Sequence, residues 1–180
     1  ERGLPATVPG VTLGSLNLGS LNFGDKVYQN TSSAVDIWIK QMALCGVKPS
    51  LEIFDTGHLA FANSLIEEGK IKAPYNFSFI FNVKWGMVFS EALLKYLVSQ
   101  LPPQSNWGAI IIGSEDLTDH LVAAENGADM IRVGFEDSNV LNGERVESNV
   151  ELVSIFGAAL EKNGFTVIQG DLVREKLLTV

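Results

Sequence analysis

The sequence predicts an alternating α/β fold in which parallel strands are covered by helices. A strand followed by a helix recurs about every 30 residues, the length of one strand–helix unit in such folds. Two predicted strands, 77–81 and 110–112, are largely apolar on both faces, as expected of a sheet that is buried on both sides. At 180 residues, of which 46% are hydrophobic, the chain can form one domain with a sizeable core. Both a (β/α) barrel and a doubly wound sheet fit these observations.

Capping and turn residues define the elements of the first half of the chain. Ser33 and Asp36 form a capping box that begins a helix near residue 33, and Gly46 closes that helix after Leu44. The next helix begins after the turn 55–57 and ends at Gly69. The resulting strands are 14–23, 50–54 and 77–83.

The second half of the chain shows the same kind of signals. A helix beginning at Ser90 ends at Pro102, because proline cannot continue a helix. Ser148 and Glu151 form a second capping box, whose helix ends near Gly164. The resulting strands are 107–112 and 130–135, and the helices are 90–101, 116–125, 148–164 and 170–178.

Composition excludes several classes of partner. A formal net charge of -8 disfavours nucleic acid, because no basic stripe is present to displace phosphate counterions. No apolar run reaches the roughly 18 residues that span a bilayer, so no membrane partner is predicted and the predicted location is cytoplasmic. Cys45, the single cysteine, excludes an intrachain disulfide and is predicted to be buried in a helix.

Polar side chains follow the predicted strands at the edge where parallel folds carry function. An inward-pointing carboxylate such as Glu52 is costly to bury without partners, so the concentration of such groups favours a site. Asp55 could instead cap a helix, His58 could bond a backbone carbonyl, and His120 is predicted to lie on the surface. The side chains at this edge are Ser20, Asn22, Glu52, Asp55, His58, Asn82, Lys84, Ser114, Glu136 and Asp137.

The segment 132–137 is predicted to be a strand end that carries chemistry. Side chains alternate across a strand, so Glu136 and Asp137 are expected to face opposite ways and to differ in role. An acid on the strand could hold a metal, and its neighbour, paired with Arg132, could exchange protons with a substrate. A strand-to-loop junction with solvated acids remains an alternative.

Four segments, taken together and in order, resemble the β-keto acid cleavage enzyme family, whose type member is the 3-keto-5-aminohexanoate cleavage enzyme. The resemblance covers nearly the whole chain, and four ordered motifs are far more specific than any one of them. The segments are 15–23, 46–59, 132–137 and 148–153.

The resemblance implies a TIM (β/α)8 barrel that condenses a β-keto acid with acetyl-CoA, giving acetoacetate and a new acyl-CoA through a metal-stabilised enolate and a retro-Claisen step. It implies that Glu136 is a ligand of Zn²⁺, that Asp137 is the catalytic base and that Arg132 is the partner of Asp137. The positions that match the substrate pocket of the family are Ser20, Asn22 and Glu52. The resemblance also suggests a homotetramer that acts in amino acid catabolism.

Some family features differ or are missing in this sequence. Phe135 stands where the family usually has leucine, Ser138 stands where an asparagine usually follows, and 82–87 is poorer in glycine. The two histidine ligands of the family form an H-x-H pair on an early strand, and this sequence contains no such pair.

A full barrel takes about 250 residues, whereas this chain supplies five strand–helix units. We therefore expect residues 1–180 to form a single domain that is the C-terminal portion of the barrel, with strands four to eight present. The N-terminal units and the two histidines are expected upstream, and the chain alone is expected to be inactive.

Two other functions fit the residues. One is a different metal-dependent barrel aldolase or lyase that uses the same acids without CoA. The other is a non-catalytic truncated barrel that binds a partner or acts as a scaffold.

Overall fold

The computed structural model describes residues 4–179, and its centre is a parallel sheet of five strands. The order of these strands is β1-β4-β5-β6-β7, so the strands lie side by side in the same order in which they occur along the chain. In chain order the strands are β1 (Leu13–Asn17), β2 (Leu21–Phe23), β3 (Lys26–Tyr28), β4 (Lys48–Ile53), β5 (Tyr75–Phe81), β6 (Ser105–Ile111), β7 (Met130–Ile131), β8 (Val140–Leu141) and β9 (Glu144–Arg145).

Helices follow all five strands of this sheet, which gives five strand–helix units as predicted. A doubly wound sheet reverses its strand order near the middle, and this sheet does not, so the order is that of a barrel segment. Among residues 4–179, no helix is long and apolar enough to cross a membrane. The helices are α1 (Ser32–Leu44), α2 (Thr56–Glu67), α3 (Glu91–Ser99), α4 (Thr118–Glu125), α5 (Asn149–Lys162) and α6 (Asp171–Leu178), with a short 3-10 helix at Leu4–Thr7.

The first predicted strand, 14–23, is wrong in its second half. β1 ends at Asn17, and β2 pairs antiparallel with β3 as a separate hairpin. Gly24 turns the chain there with φ +62°, a conformation that glycine adopts without steric cost. The apolar pattern of the sequence therefore merged two strands that belong to different sheets.

The fifth predicted strand, 130–135, is also too long. β7 contains only Met130 and Ile131, and the chain then enters a turn in which Asp137 N–H donates to the Gly134 carbonyl at 2.9 Å. The alternation argument for Glu136 and Asp137 therefore does not apply, because neither residue lies on a strand.

The two faces of the sheet differ in chemistry. On the face covered by helices, Leu16, Leu51 and Phe77 stand in register and are at most 2% exposed. On the opposite, concave face the next pair in register is polar, since Glu52 of β4 stands beside Ser78 of β5. A polar row on the inner face of a sheet places hydrogen-bonding groups where a barrel encloses its interior.

Helix α6 lies across the amino-terminal end of the concave face. Asn76 donates a hydrogen bond to the Leu177 carbonyl at 2.9 Å, and Asn106 donates one to the Lys176 carbonyl at 3.1 Å. Lys176 also pairs with Asp129 at 2.8 Å. These contacts leave the carboxyl-terminal edge of the sheet as the open side.

Of the two predicted capping boxes, the cap at Ser148 is confirmed and the one at Ser33 is wrong. Ser90 and Ser148 cap α3 and α5, and Asp55 caps α2 by accepting a hydrogen bond from Gly57 N–H at 2.8 Å. The cap of α1 is Thr31 and not Ser33, because Ala34 N–H donates to the Thr31 hydroxyl.

Two further features correct or extend the predictions. Cys45 directly follows α1 and is exposed, contrary to the predicted burial. The β8–β9 hairpin was not predicted, although Asn142 and Gly143, both with positive φ, form the turn that such a dipeptide favours.

Candidate functional site

Arg132 holds the carboxylate of Asp137 with two hydrogen bonds, one to each oxygen. The guanidinium Nε donates to Oδ2 at 2.9 Å, and Nη2 donates to Oδ1. The Asp137 side chain is 6% exposed, whereas that of Arg132 is 39% exposed. The hydrogen bond that Arg132 donates to Asp137 is the main cause of the raised pKa of Arg132. This forked geometry fixes both the position and the rotation of the carboxylate.

Backbone hydrogen bonds fix the turn that carries Asp137. Gly113 N–H at the end of β6 donates to the Asp137 carbonyl at 2.9 Å, and Ser138 N–H donates to the Gly134 carbonyl at 3.0 Å. The Asn149 side chain, in the first turn of α5, accepts from Phe135 N–H at 2.8 Å. The carboxylate therefore sits on a turn that is connected to β6 and to α5.

Glu136, the neighbouring acid, is in a different environment. Its side chain is 82% exposed and lies 3.8 Å from Arg132 Nη2. The two acids differ in environment, and the cause is the turn rather than the predicted strand alternation; their predicted difference in role stays a prediction. Within residues 4–179 no group of three His, Cys, Asp or Glu side chains could hold a metal, so Glu136 has no such partners here.

Glu52 lies on the concave face, in a cavity of about 430 Å³ that Arg132 also lines. Burial raises the pKa of Glu52, and a hydrogen bond with Ser15 and the charge of Arg132 oppose that rise. A cavity of this size is in the range that holds a small molecule. The structure thus brings together Glu52 and Arg132, which are 80 positions apart in the sequence.

The polar lining of this cavity includes three serines that the sequence analysis did not single out. Ser15, Ser50 and Ser78 line the cavity beside Glu52, and the hydroxyls of Ser50 and Ser78 are 3.1 Å apart. A signal was present in the sequence, because polar residues alternate with apolar ones along β1, β4 and the first part of β5. Alternation of this kind marks one polar face of a strand.

Ser20 and Asn22 lie outside this cavity. Ser20 is in the loop after β1, where its hydroxyl accepts a hydrogen bond from Asn30 N–H at 2.8 Å. Asn22 is an exposed residue of β2, opposite Val27 in the hairpin. The structure therefore does not bring these two predicted substrate-binding residues together with Glu52.

His58 is a structural residue, as the alternative interpretation held. Its Nδ1 accepts a hydrogen bond from Phe54 N–H at 3.4 Å, and the ring also bonds the Ser20 backbone. Burial lowers the pKa of His58. Gly19 leaves room for the ring, since a Cβ at that position would lie 2.2 Å from His58 Cδ2. His58 thus ties the loop after β1 to the end of β4.

The predicted surface position of His120 is wrong. The residue is 5% exposed, and its ring packs edge-on against Phe156 of α5 with the ring centroids 4.9 Å apart. Its neighbour Asp119 suggested a solvated helix face, whereas tertiary packing of α4 on α5 covers this position. His120 lines a cavity of about 20 Å³ together with Asp137 and Arg132.

The other polar residues at this edge shape loops. Asn82, with φ +63°, accepts a hydrogen bond from Phe89 N–H at 2.9 Å, and Ser114 donates to the Asp116 carbonyl at 3.1 Å. Lys84 lies with its ammonium 5.5 Å from the centre of the exposed Trp85 ring.

Comparison with known proteins places this geometry in a family. A family model described as beta-keto acid cleavage enzyme matches residues 2–178. The chain is 33% identical over 154 residues to the 3-dehydrocarnitine:acetyl-CoA trimethylamine transferase of Rhizobium meliloti (strain 1021), a match covering 86% of this chain and 51% of that protein. It is 32% identical over 142 residues to the 3-keto-5-aminohexanoate cleavage enzyme of Acetoanaerobium sticklandii, covering 74% and 52%. The chain thus spans about half the length of the curated relatives it matches.

Solved structures of ObcA share the fold. The binary complex of ObcA with oxaloacetate superposes with a TM-score of 0.70 at 20% identity, covering 91% of this chain and 44% of that one. The ternary complex with a C4-CoA adduct and oxalate gives a TM-score of 0.69 at 21% identity, covering 89% and 44%. The predicted fold class, a (β/α)8 barrel to which this chain contributes five strand–helix units, is confirmed.

Proposed function

The chain belongs to the β-keto acid cleavage enzyme family, and from that premise we propose that the protein containing it condenses a β-keto acid with acetyl-CoA. The products are acetoacetate and a new acyl-CoA. The observation that carries the proposal is the forked hydrogen bonding of Arg132 to Asp137, next to the concave cavity that holds Glu52. The curated relatives include a 3-dehydrocarnitine:acetyl-CoA trimethylamine transferase and two 3-keto-5-aminohexanoate cleavage enzymes.

In the proposed reaction Asp137 is the base. It removes a proton from the carbon between the keto and carboxylate groups of the substrate, and the resulting enolate attacks the thioester carbonyl of acetyl-CoA. The released CoA thiolate adds to the original keto carbonyl, and the bond from that carbon to the former enolate carbon breaks. The proton returns from Asp137 to acetoacetate, so no oxidant or reductant is needed.

The environment of Asp137 supports this role. A base is effective when its carboxylate is held in one orientation, and the two hydrogen bonds from Arg132 provide that restraint. The small exposed fraction of the Asp137 side chain also limits competition from bulk water. Arg132 reaches both this carboxylate and the cavity that contains Glu52.

Glu52 is the predicted substrate-binding residue that the geometry supports best. Burial raises the pKa of its carboxyl group, which lines the cavity beside Arg132, where it can hydrogen-bond a substrate. For Ser20 and Asn22 the same role rests on the family resemblance alone, and we propose that they act at the rim of the carboxyl-terminal edge.

A divalent metal is a general requirement of the family. Residues 4–179 do not by themselves fit such a metal, because they contain no group of three suitable ligands. His58 and His120 are both buried, and His58 is occupied by backbone groups. We propose that Glu136 supplies one ligand to Zn²⁺ and that two histidines outside these residues supply the others.

The assembly of the whole protein is also proposed from the family. We propose that residues 1–180 form the C-terminal portion, strands four to eight, of a longer barrel and that they are inactive without the remaining units. The sheet as described has open edges at β1 and β7, which such units would cover. We further propose a cytoplasmic homotetramer.

Substitution of Asp137 tests the proposed function. In the full-length protein, Asp137→Asn keeps the size of the side chain but removes the base, so we expect the rate of acetyl-CoA-dependent keto acid consumption to fall by about 10²- to 10⁴-fold. Asp171→Asn, at the exposed start of α6, is the matched control and should leave the rate unchanged. Consumption that continues without acetyl-CoA would favour a CoA-independent lyase, and indifference to Asp137→Asn would favour a non-catalytic barrel.

A further inference from the structure

The side chain of His120 contains a polar atom that the fold leaves without a partner. Nδ1 is buried and makes no hydrogen bond, and across residues 4–179 the only other such side-chain atom is Asn63 Oδ1. Buried nitrogen and oxygen atoms are nearly always hydrogen-bonded in native proteins. The unpaired atom of His120 therefore needs an explanation, and His120 lines a cavity that Asp137, the base of the proposed reaction, also lines.

A small cavity adjoins the ring. Its volume is about 20 Å³, and its polar lining consists of His120, Asp137, Arg132, Ser114 and Ser138. A water molecule requires a volume of at least about 10–15 Å³ and between two and four polar partners. The cavity is thus large enough for one water and too small for an organic ligand.

The hydrogen bonds of the His120 ring show that its unpaired Nδ1 needs a donor. The imidazole bonds the Asp116 backbone, and burial lowers the pKa of His120, so the neutral ring carries its proton toward Asp116. Nδ1 then has a lone pair that requires a donor. The carboxylate of Asp137 is an acceptor and cannot provide one.

The two hydroxyls that line the cavity already donate elsewhere, and two guanidinium nitrogens of Arg132 are engaged with Asp137. The Ser114 hydroxyl donates to the Asp116 carbonyl, and the Ser138 hydroxyl donates to the Val140 carbonyl. Nε and Nη2 of Arg132 both donate to Asp137. A water molecule has two donor hydrogens, one for Nδ1 and one for the carboxylate.

We propose that a buried water molecule links His120 Nδ1 to the carboxylate of Asp137, which makes His120 a positioning residue for the proposed base. The water adds a third hydrogen bond to a carboxylate that Arg132 already holds by two. Its effect on catalysis rests on the proposed function, whereas the water itself does not.

Spectroscopy tests the link without any assay of activity. In a long-range ¹H–¹⁵N spectrum of the labelled full-length protein, the signals that disappear in His120→Phe and in His58→Asn identify these two imidazoles. We expect a neutral His120 whose Nδ1 is a hydrogen-bonded acceptor, and we expect Asp137→Asn to shift that nitrogen while the His58 signals stay in place. An Nδ1 that carries a proton, or one that Asp137→Asn leaves unshifted, would overturn the proposal.

Kinetics of the full-length protein test the positioning role. His120→Phe keeps a ring against Phe156 but removes the acceptor, so kcat should fall by about tenfold with the KM for acetyl-CoA unchanged. His120→Asn retains an acceptor near the position of Nδ1 and should stay within about threefold of wild type. An unchanged kcat in His120→Phe, or equal losses in both variants, would refute the role.

The two proposals can fail separately. A wild-type protein that does not use acetyl-CoA would refute the proposed function, and the spectra would still decide whether the water links His120 to Asp137. A wild-type protein that is active, together with spectra that show no link, would refute only the water.

Discussion

The contact between Gly19 and His58 gives a sharp test of how the loop after β1 is held. A Cβ on Gly19 would lie 2.2 Å from His58 Cδ2 and 2.3 Å from Nε2, far inside van der Waals contact. The ring must therefore move in Gly19→Ala, and both Phe54 N–H and the Ser20 backbone lose their partner. Each buried group left unpaired costs about 1–3 kcal/mol.

The expected loss in the free energy of unfolding is about 1–3 kcal/mol, because Phe54 N–H is buried whereas Ser20 is exposed and its backbone group can bond water instead. This corresponds to a fall in Tm of about 2–12 °C for a chain of this size. Thermal and urea unfolding followed by circular dichroism measure both quantities.

Gly157→Ala is the matched control for this substitution. Gly157 lies within α5, and a Cβ there meets nothing within 4 Å, so the same change should stabilise the protein by about 0.5–1 kcal/mol. Equal stability of Gly19→Ala and wild type would show that the ring moves freely and that His58 does not hold the loop.

Three further substitutions address the site. Burial raises the pKa of Glu52 from 4.5, so the stability that its protonated form contributes is lost as the pH rises through the raised pKa. At pH 7 the urea concentration at the unfolding midpoint should therefore be higher for Glu52→Gln than for wild type. Below about pH 4.5 the two midpoints should be equal. Arg132→Lys cannot form the forked hydrogen bonds to Asp137, so kcat of the full-length protein should fall by about 100-fold, and a steady-state assay with an unchanged rate would contradict the positioning argument. Glu136→Gln should lower zinc content, measured by metal analysis, and should leave the Tm of the metal-free protein unchanged, because the side chain is 82% exposed. A full equivalent of zinc would rule Glu136 out as a ligand.

Local signals predicted the helices well. The caps at Asp55, Ser90 and Ser148 depend on residues two or three positions apart, so the sequence itself contains the interaction. Strand ends depend on a partner far away in the chain. β7 ends where its pairing with β6 ends, at Ile131. The apolar residues Val133 and Phe135 that follow would fit a longer strand, so the sequence does not indicate this end.

The pairing of Arg132 with Asp137 was predictable from the sequence, but the arrangement around that pair was not. Arg132 and Asp137 could be paired from their spacing, whereas the turn that buries one acid and exposes the other depends on contacts from Gly113 and Asn149. His120 illustrates the same limit, since only the packing of α4 on α5 removes it from solvent. Which side chains share a cavity depends on strand register and helix packing, which the local sequence pattern does not specify.

Transfer of label from acetyl-CoA tests the central claim most directly. The full-length protein is incubated with an unlabelled β-keto acid and with acetyl-CoA that carries ¹³C in both acetyl carbons, and the products are followed by NMR. The proposed reaction places both labelled carbons in acetoacetate and none in the new acyl-CoA. Acetoacetate without label, or keto acid cleavage that proceeds when acetyl-CoA is omitted, would contradict the proposed function.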